Sequence, residues 1–431
     1  MKLRRVAAVV VLLPAAAYVI WDQVESRALA REIAAIAQRG APITVADAAP
    51  IGADTPERHD AARIYAAAAQ RVRALPPELT VRLSTLDLDR TAAPPLDLAE
   101  LERTYPPDTP ALQLLDQGTP LDFNGFGDVE FDENNSPLLT LNQLAAMRAD
   151  LFSARGRGDA AAQALIPCVR LRRTMPLTQQ TQVAIRLLGS VRIMLHHAKP
   201  SERSLEALQR ALMEPPDSDD LVHYVEQQRA RFIDEINSPR GEVGDMILRR
   251  LLRPWMARAN RRNLDTYREA IDVSRRPWPE KFIIGTMLQE KYGQVFRGAG
   301  RPGFGQRMMR NSLFPYGIGI IAAPFTQAGI ELAARRVIVA VLAVERYRRQ
   351  HGEVSPSSLA SLVPAYLPAL PNDPFSAQPL VYRTGADHYL LYSVDVNRTD
   401  DAGALYGFGS GGQRQPRPGA GRDLGIRVEM H

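Results

Sequence analysis

One cysteine, Cys168, occurs in 431 residues, so no disulfide can form within the chain. It follows Pro167 in an apolar helical pattern with no histidine nearby, which predicts a small core residue and not a nucleophilic thiol. Catalytic signatures are also missing. The sequence has no Gly-x-Ser-x-Gly, no phosphate-binding Gly-rich loop and no His-Glu-x-x-His. GFGSGGQ (407–413) is followed neither by Lys-Ser/Thr nor by a helix pattern, and reads as a flexible loop. The formal charge of +5, carried mostly by arginine, is small for this length. It predicts no nucleic-acid partner but permits contact with anionic lipid.

Aromatics make up only 6%, while the strong helix formers Ala, Leu and Arg are abundant. A mainly α fold is expected, in two or three domains because the chain exceeds one ordinary core. The first domain is an anchor, residues 1–27. Lys2, Arg4 and Arg5 precede an uncharged apolar run from Val6 to Trp21. Sixteen helical residues span about 24 Å, slightly short of a bilayer core, and arginine snorkelling with the interfacial Trp21 makes up the difference. The basic flank puts the N-terminus in the cytoplasm and the main body outside it, at the bacterial inner membrane. A cleaved signal peptide is the competing reading, with small-residue sites at Ala15 to Ala17 and at Ala28-Leu29-Ala30. The first cuts inside the apolar run and the second follows three charged residues, so an uncleaved signal anchor is expected.

The second domain, 28–325, reads as helices separated by Pro-rich loops. Thr55-Pro56-Glu57 is a helix start, with a capping threonine and proline at the first helical position. Four helices follow at 139–155, 159–175, 179–198 and from Pro200-Ser201-Glu202, joined by short connectors. Short connectors predict antiparallel, tetratricopeptide-like hairpins, without a full repeat consensus. His196 and His197 point about 100° apart on a helix end, so they read as end charges and not as a chelating pair. GDVEFDENN (127–135) is acidic and reads as a solvated hairpin. The stretch 246–262 carries six arginines and no acid between Asp245 and Asp265. It admits two readings: a basic amphipathic helix on a membrane surface, or a helix docked on the protein core, kinked at Pro254. LFPYGIGIIAAPF (313–325) is too short to span a bilayer and reads as a buried connector.

The third domain, 326–431, begins with a long helix closed by Gly352. A short helix at SLASLV, a turn at Asp373-Pro374-Phe375 and two strands, LVYR and YLLYSV, follow, the strands separated by TGADH in a hairpin pattern. The order RYRRQHG, SLASLV, NDPFSAQPL, hairpin and loop resembles the periplasmic head of the major pseudopilin of type II secretion systems, over roughly residues 328–431. The resemblance implies a small α+β module and a calcium-binding loop after the last hairpin strand. Transferred by position, the candidate calcium ligands are Ser393, Asn397, Asp400 and Asp401, with a carbonyl near Leu391. Where the family has Gly-x-Asp-Gly, this chain has Asp395-Val396-Asn397-Arg398, which removes an acid and adds a positive charge. A plain Asp-rich turn is the other reading. The family's Gly-Phe-Thr-Leu-Ile-Glu processing motif does not follow Arg4-Arg5, and the anchor lies some 300 residues from the head. The layout as a whole, with phrases such as GDAAAQALIPCVRLRR and QQRARFIDEI, also resembles a group of uncharacterised bacterial membrane-anchored proteins; this implies the domain order and no activity.

The expected function is a membrane-anchored envelope protein, tethered through residues 6–21, that binds or scaffolds an envelope protein partner without catalysis. Two alternatives stay open. One is a component of a secretion or pilus-like assembly. The other is an enzyme whose site gathers His223, Glu226, Asp234 and Glu235 in the helical domain.

Overall fold

The structure, a computed structural model, describes residues 2–48, 55–75, 109–118, 137–213, 220–237, 250–296, 322–405 and 423–430. The acidic stretch 127–135, the loop 407–413 and most of the apolar stretch 313–325 lie outside them. The described residues form eleven helices and a small three-stranded sheet, so the chain is mainly α as expected. The helices are α1 (Lys2–Gln38), α2 (Pro56–Arg73), α3 (Pro110–Gly118), α4 (Pro137–Ala154), α5 (Gly158–Arg172), α6 (Leu177–His197), α7 (Glu202–Met213), α8 (Asp220–Asn237), α9 (Arg253–Ser274), α10 (Glu280–Phe296) and α11 (Ala322–Gln350). A 3-10 turn at Leu359–Leu362 precedes β1 (Val381–Thr384), β2 (His388–Ser393) and β3 (Leu424–Glu429).

Two compact units emerge, each built from two separate stretches of chain. Unit one comprises Met1–Ala49 and Asp219–Phe325; unit two comprises Pro50–Ser218 and Thr326–His431. The stretch 28–325, expected to be one domain, is therefore shared between them.

In unit one, α1 packs along α9, and α9 also contacts α8 and α10. Leu29 and Ile36 of α1, Phe232 and Ile233 of α8, and Ala257 and Leu264 of α9 form the core. Pro14 lies inside α1. Among the described residues no helix is long and apolar enough to cross a membrane. The side chains of residues 6–12, the first half of the apolar run, are outside that statement. α9 corrects one expectation. Pro254, expected to kink a helix over 246–262, sits in the first turn of a helix that begins at Arg253, after helical Arg250 and Leu251 and a turn at Leu252; 246–249 lie outside the described residues. A proline there removes an N–H that would have no helical acceptor, so it starts the helix at little cost.

In unit two, the expected helices at 139–155, 159–175 and onward are α4 to α7. Connectors of three or four residues join them; α4 packs on α5 and α6, and α7 packs on α5. Gly156 adopts φ +69 after α4, the left-handed conformation glycine takes most easily. Gly158 opens α5 so close to the 199–200 connector that a Cβ would lie 2.4 Å from the Pro200 nitrogen. Ser201 caps α7, its Oγ accepting the Ser204 N–H at 3.3 Å. The interior holds ion pairs. Arg186 meets Asp150 at 2.6 Å with both side chains buried. Arg172 pairs with Glu331 of α11, also buried. Cys168 is fully buried, and burial pushes its thiol up to about 12, the opposite of an activated nucleophile.

The end of α11 carries the sheet. Tyr389 of β2 donates to Glu345 at 2.9 Å, and Arg348 donates to the same oxygen at 2.8 Å, all three buried. The strands are antiparallel in the order β1-β2-β3, with Val381 opposite Tyr392 and His388 opposite Glu429. Gly425 lies opposite Tyr392, where a Cβ would come within 2.3 Å of the tyrosine Cβ.

Candidate functional site

Two residues position the loop after β2. Asp373, in the expected Asp-Pro-Phe turn, accepts the Phe375 N–H at 2.8 Å with one oxygen and the Val394 N–H at 2.8 Å with the other. It thereby ties the turn to the end of β2. Burial raises its carboxyl above the ordinary range, against those donors and the Ser393 hydroxyl. At the far side Asp423, just before β3, accepts the N–H groups of Asp401 at 3.3 Å and Gly403 at 2.8 Å. Between them the chain turns through the left-handed region at Asp395, Arg398, Ala402 and Gly403.

Of the four candidate ligands, three lie near one another and one does not. Ser393 is fully buried; its hydroxyl accepts the Asp395 N–H at 3.1 Å and bonds to Asp373, away from the loop tip. Asn397 donates to Asp401 at 2.9 Å. Asp400 accepts from Tyr392 at 2.9 Å, from Arg383 at 2.8 Å and from the Ala402 N–H at 2.8 Å. Burial pulls the Asp400 carboxyl up, but the Tyr392 and Ala402 donors and the Arg383 charge outweigh it and hold it below the usual range. Asp423 moves the other way. Burial, with Asp400 and Asp401 close by, pushes it up to about 6 despite its two N–H donors. Negative charge thus accumulates between Asp400, Asp401 and Asp423.

Three carboxylates and an amide oxygen are the kind of donors calcium takes, but the ligand atoms of Asp400, Asp401 and Asp423 do not gather within 4.8 Å of one another. Ser393 does not fit, and Arg383 competes for Asp400. Asp423 was missed in the sequence because it lies 22 residues from Asp401. Among the described residues, the one trio of acidic or histidine side chains whose ligand atoms gather within 4.8 Å is Asp387, His388 and Glu429. His388 already bonds Asp387 at 2.6 Å, and Glu429 bonds Arg427 at 2.8 Å.

The alternative catalytic set does not converge. On α8, His223 pairs with Gln227 at 2.8 Å and Glu226 with Arg275 at 3.4 Å. Asp234 and Glu235 follow the buried Phe232 and Ile233 and are themselves half-buried. The open cleft in this unit is lined by Glu32, Gln38, Arg39, Arg261, Asp265 and Arg268, none of them on α8. His196 and His197 meet edge to face at the end of α6, and burial and the neighbouring ring lower the His197 pKa. No family model, curated protein or solved structure matches this chain.

Proposed function

We propose that this chain is a membrane-anchored protein of the bacterial envelope, with its body outside the cytoplasm and a binding or scaffolding role. The observation that carries the reading is the N-terminal segment: Lys2, Arg4 and Arg5, the apolar run 6–21, then Trp21 at its end. Its test is extraction of cell membranes with alkaline carbonate, followed by protease treatment of spheroplasts. Retention of the chain in the pellet, with its body digested from outside, is the expected result. Release into the wash would overturn the anchor.

The partner-binding surface is assigned to the C-terminal module. Support comes from its order of elements: a long helix, a 3-10 turn, the Asp-Pro-Phe turn, an antiparallel hairpin and an aspartate loop. The same order supports a second reading, a component of a secretion or pilus-like assembly. Crosslinking in intact envelopes separates the two, since an assembly subunit gives ladders of secretion components and a free-standing binder gives one partner. Calcium would be held by Asp400, Asp401, Asn397 and Asp423, where it would supply charge neutralisation and stiffness. A ligand of the folded state raises stability by about 2.7 kcal/mol at a hundredfold excess over its dissociation constant. A melt with calcium and with chelator reads this directly, and an unchanged midpoint at millimolar calcium would remove the ion from the proposal.

A further inference from the structure

Leu251, just before α9, and Trp255 in its first turn are exposed apolar side chains. Leu251 is 63% exposed and Trp255 50% exposed. Tyr18 and Trp21 of α1 hold them in place. The Tyr18 hydroxyl donates to the carbonyls of Arg250 and Leu251, each at 3.1 Å. The Trp21 and Trp255 rings meet edge to face at 4.4 Å, with the Tyr18 ring 6.3 Å from Trp255. α1 adds Leu13, Ile20 and Val24, all exposed and recurring at helical spacing. The apolar surface of α9 is thereby fixed at the level where the apolar run of α1 ends.

Charge follows the same geometry. Arg253 and Arg261 face α1 and pair with Asp22 at 3.4 Å and Glu25 at 3.1 Å. Arg258 and Arg262 lie outside that ladder. They are exposed and fall three and seven positions beyond Trp255, on one stripe of α9. Tryptophan and tyrosine favour the boundary between hydrocarbon and water, and arginine beside them reaches lipid phosphate. The exposed leucine, the half-exposed tryptophan and the two arginines make one patch, with no acid between Asp245 and Asp265.

We propose that Leu251, Trp255, Arg258 and Arg262 form a second membrane contact, which docks the start of α9 onto the surface of an anionic bilayer beside α1. The apolar pair enters the interface and the two arginines meet phospholipid phosphates. This rests on the anchored reading above, and it adds that the bilayer fixes the orientation of unit one instead of merely tethering it.

The test uses the full chain reconstituted in vesicles of phosphatidylglycerol and phosphatidylcholine. Two single-tryptophan forms are made: W21F with W278F leaves Trp255, and W255F with W278F leaves Trp21. Fluorescence is quenched with lipid brominated near the headgroup end of its acyl chains. Both tryptophans quenched is the expected result, with Trp255 losing its quenching as R258Q and R262Q each shift the docking equilibrium about fivefold. Trp21 quenched and Trp255 not would leave the anchor standing and overturn the second contact. Trp255 quenched and Trp21 not would do the reverse. Trp255 shielded from iodide but untouched by bromolipid would assign the surface to a second copy or another protein, and also overturns the proposal. Should W278F unfold the chain, fluorine NMR of fluorotryptophan-labelled wild-type chain against a paramagnetic lipid gives the same readout.

Discussion

Arginine–carboxylate pairs join helices in both units, but in different surroundings. In unit one, Arg253, Arg261 and Arg268 of α9 meet Asp22, Glu25 and Glu32 of α1, with the arginine ends 41 to 60% exposed. The partner numbers rise together, so the two helices run parallel. In unit two, Arg186–Asp150 and Arg172–Glu331 lie in the interior. Water screens the first set, and the apolar contacts of Leu29, Ile36, Ala257 and Leu264 give that interface most of its stability. The second set was dehydrated on folding, so each member depends on its partner. Identical chemistry therefore sets orientation in one unit and stability in the other.

The largest expected effect comes from breaking an interior pair. Asp150→Ala leaves the Arg186 guanidinium buried without its carboxylate and costs about 3–5 kcal/mol. Replacing both partners, D150L with R186M, recovers most of that loss. Urea denaturation checks both, and a loss below about 1 kcal/mol for the single change would falsify the contrast. Next is Gly425→Val in β3. Its side chain collides with Tyr392 across the sheet, and overpacking of that kind costs about 1–3 kcal/mol. A smaller effect concerns Asp423. Its folded pKa, about 6, exceeds its unfolded value. The resulting stabilisation is complete below about pH 3.9 and is lost as pH rises through 6. Carboxyl NMR titration should place it near 6 and show a fall in D400N with D401N; titration near 4 in the native chain would contradict the buried aspartate cluster. Smallest is the exposed ladder. Glu25→Gln costs about 0.2–1 kcal/mol, and the effect shrinks in high salt. A loss matching that of D150A would erase the distinction between the units.

Local patterns were readable in the sequence; long-range pairings were not. α4 to α7 follow from apolar spacing and from Gly156, Pro176 and Pro200 at their ends. The β1–β2 hairpin follows from Thr384-Gly385-Ala386-Asp387. β3 shows its alternation of Leu424, Ile426 and Val428 only once its pairing with β2 is known, because a glycine-rich segment precedes it and no hairpin turn introduces it. The basic run continues across Pro254 without a break in pattern, so the sequence does not mark the helix start at Arg253. The Asp423 donor network, the α1–α9 ladder and the discontinuous units join residues far apart in the chain, and no periodicity encodes such choices. Asn397, Asp400 and Asp401 were found by the type of their side chains, whereas the inward turn of Ser393 depends on Asp373, 20 residues earlier.

The contact between Tyr18 and Arg250 spans 232 positions. At a synthesis rate of about 5–20 residues per second, α1 emerges from the ribosome roughly 10–50 s before α9 exists to meet it. Through that interval Asp22, Glu25 and Glu32 lack their arginine partners, and Leu29 and Ile36 have no core to enter. α1 therefore exists for that time as a nascent segment without its α9 partner. Whatever holds it in the meantime, bilayer or chaperone, takes part in assembling unit one.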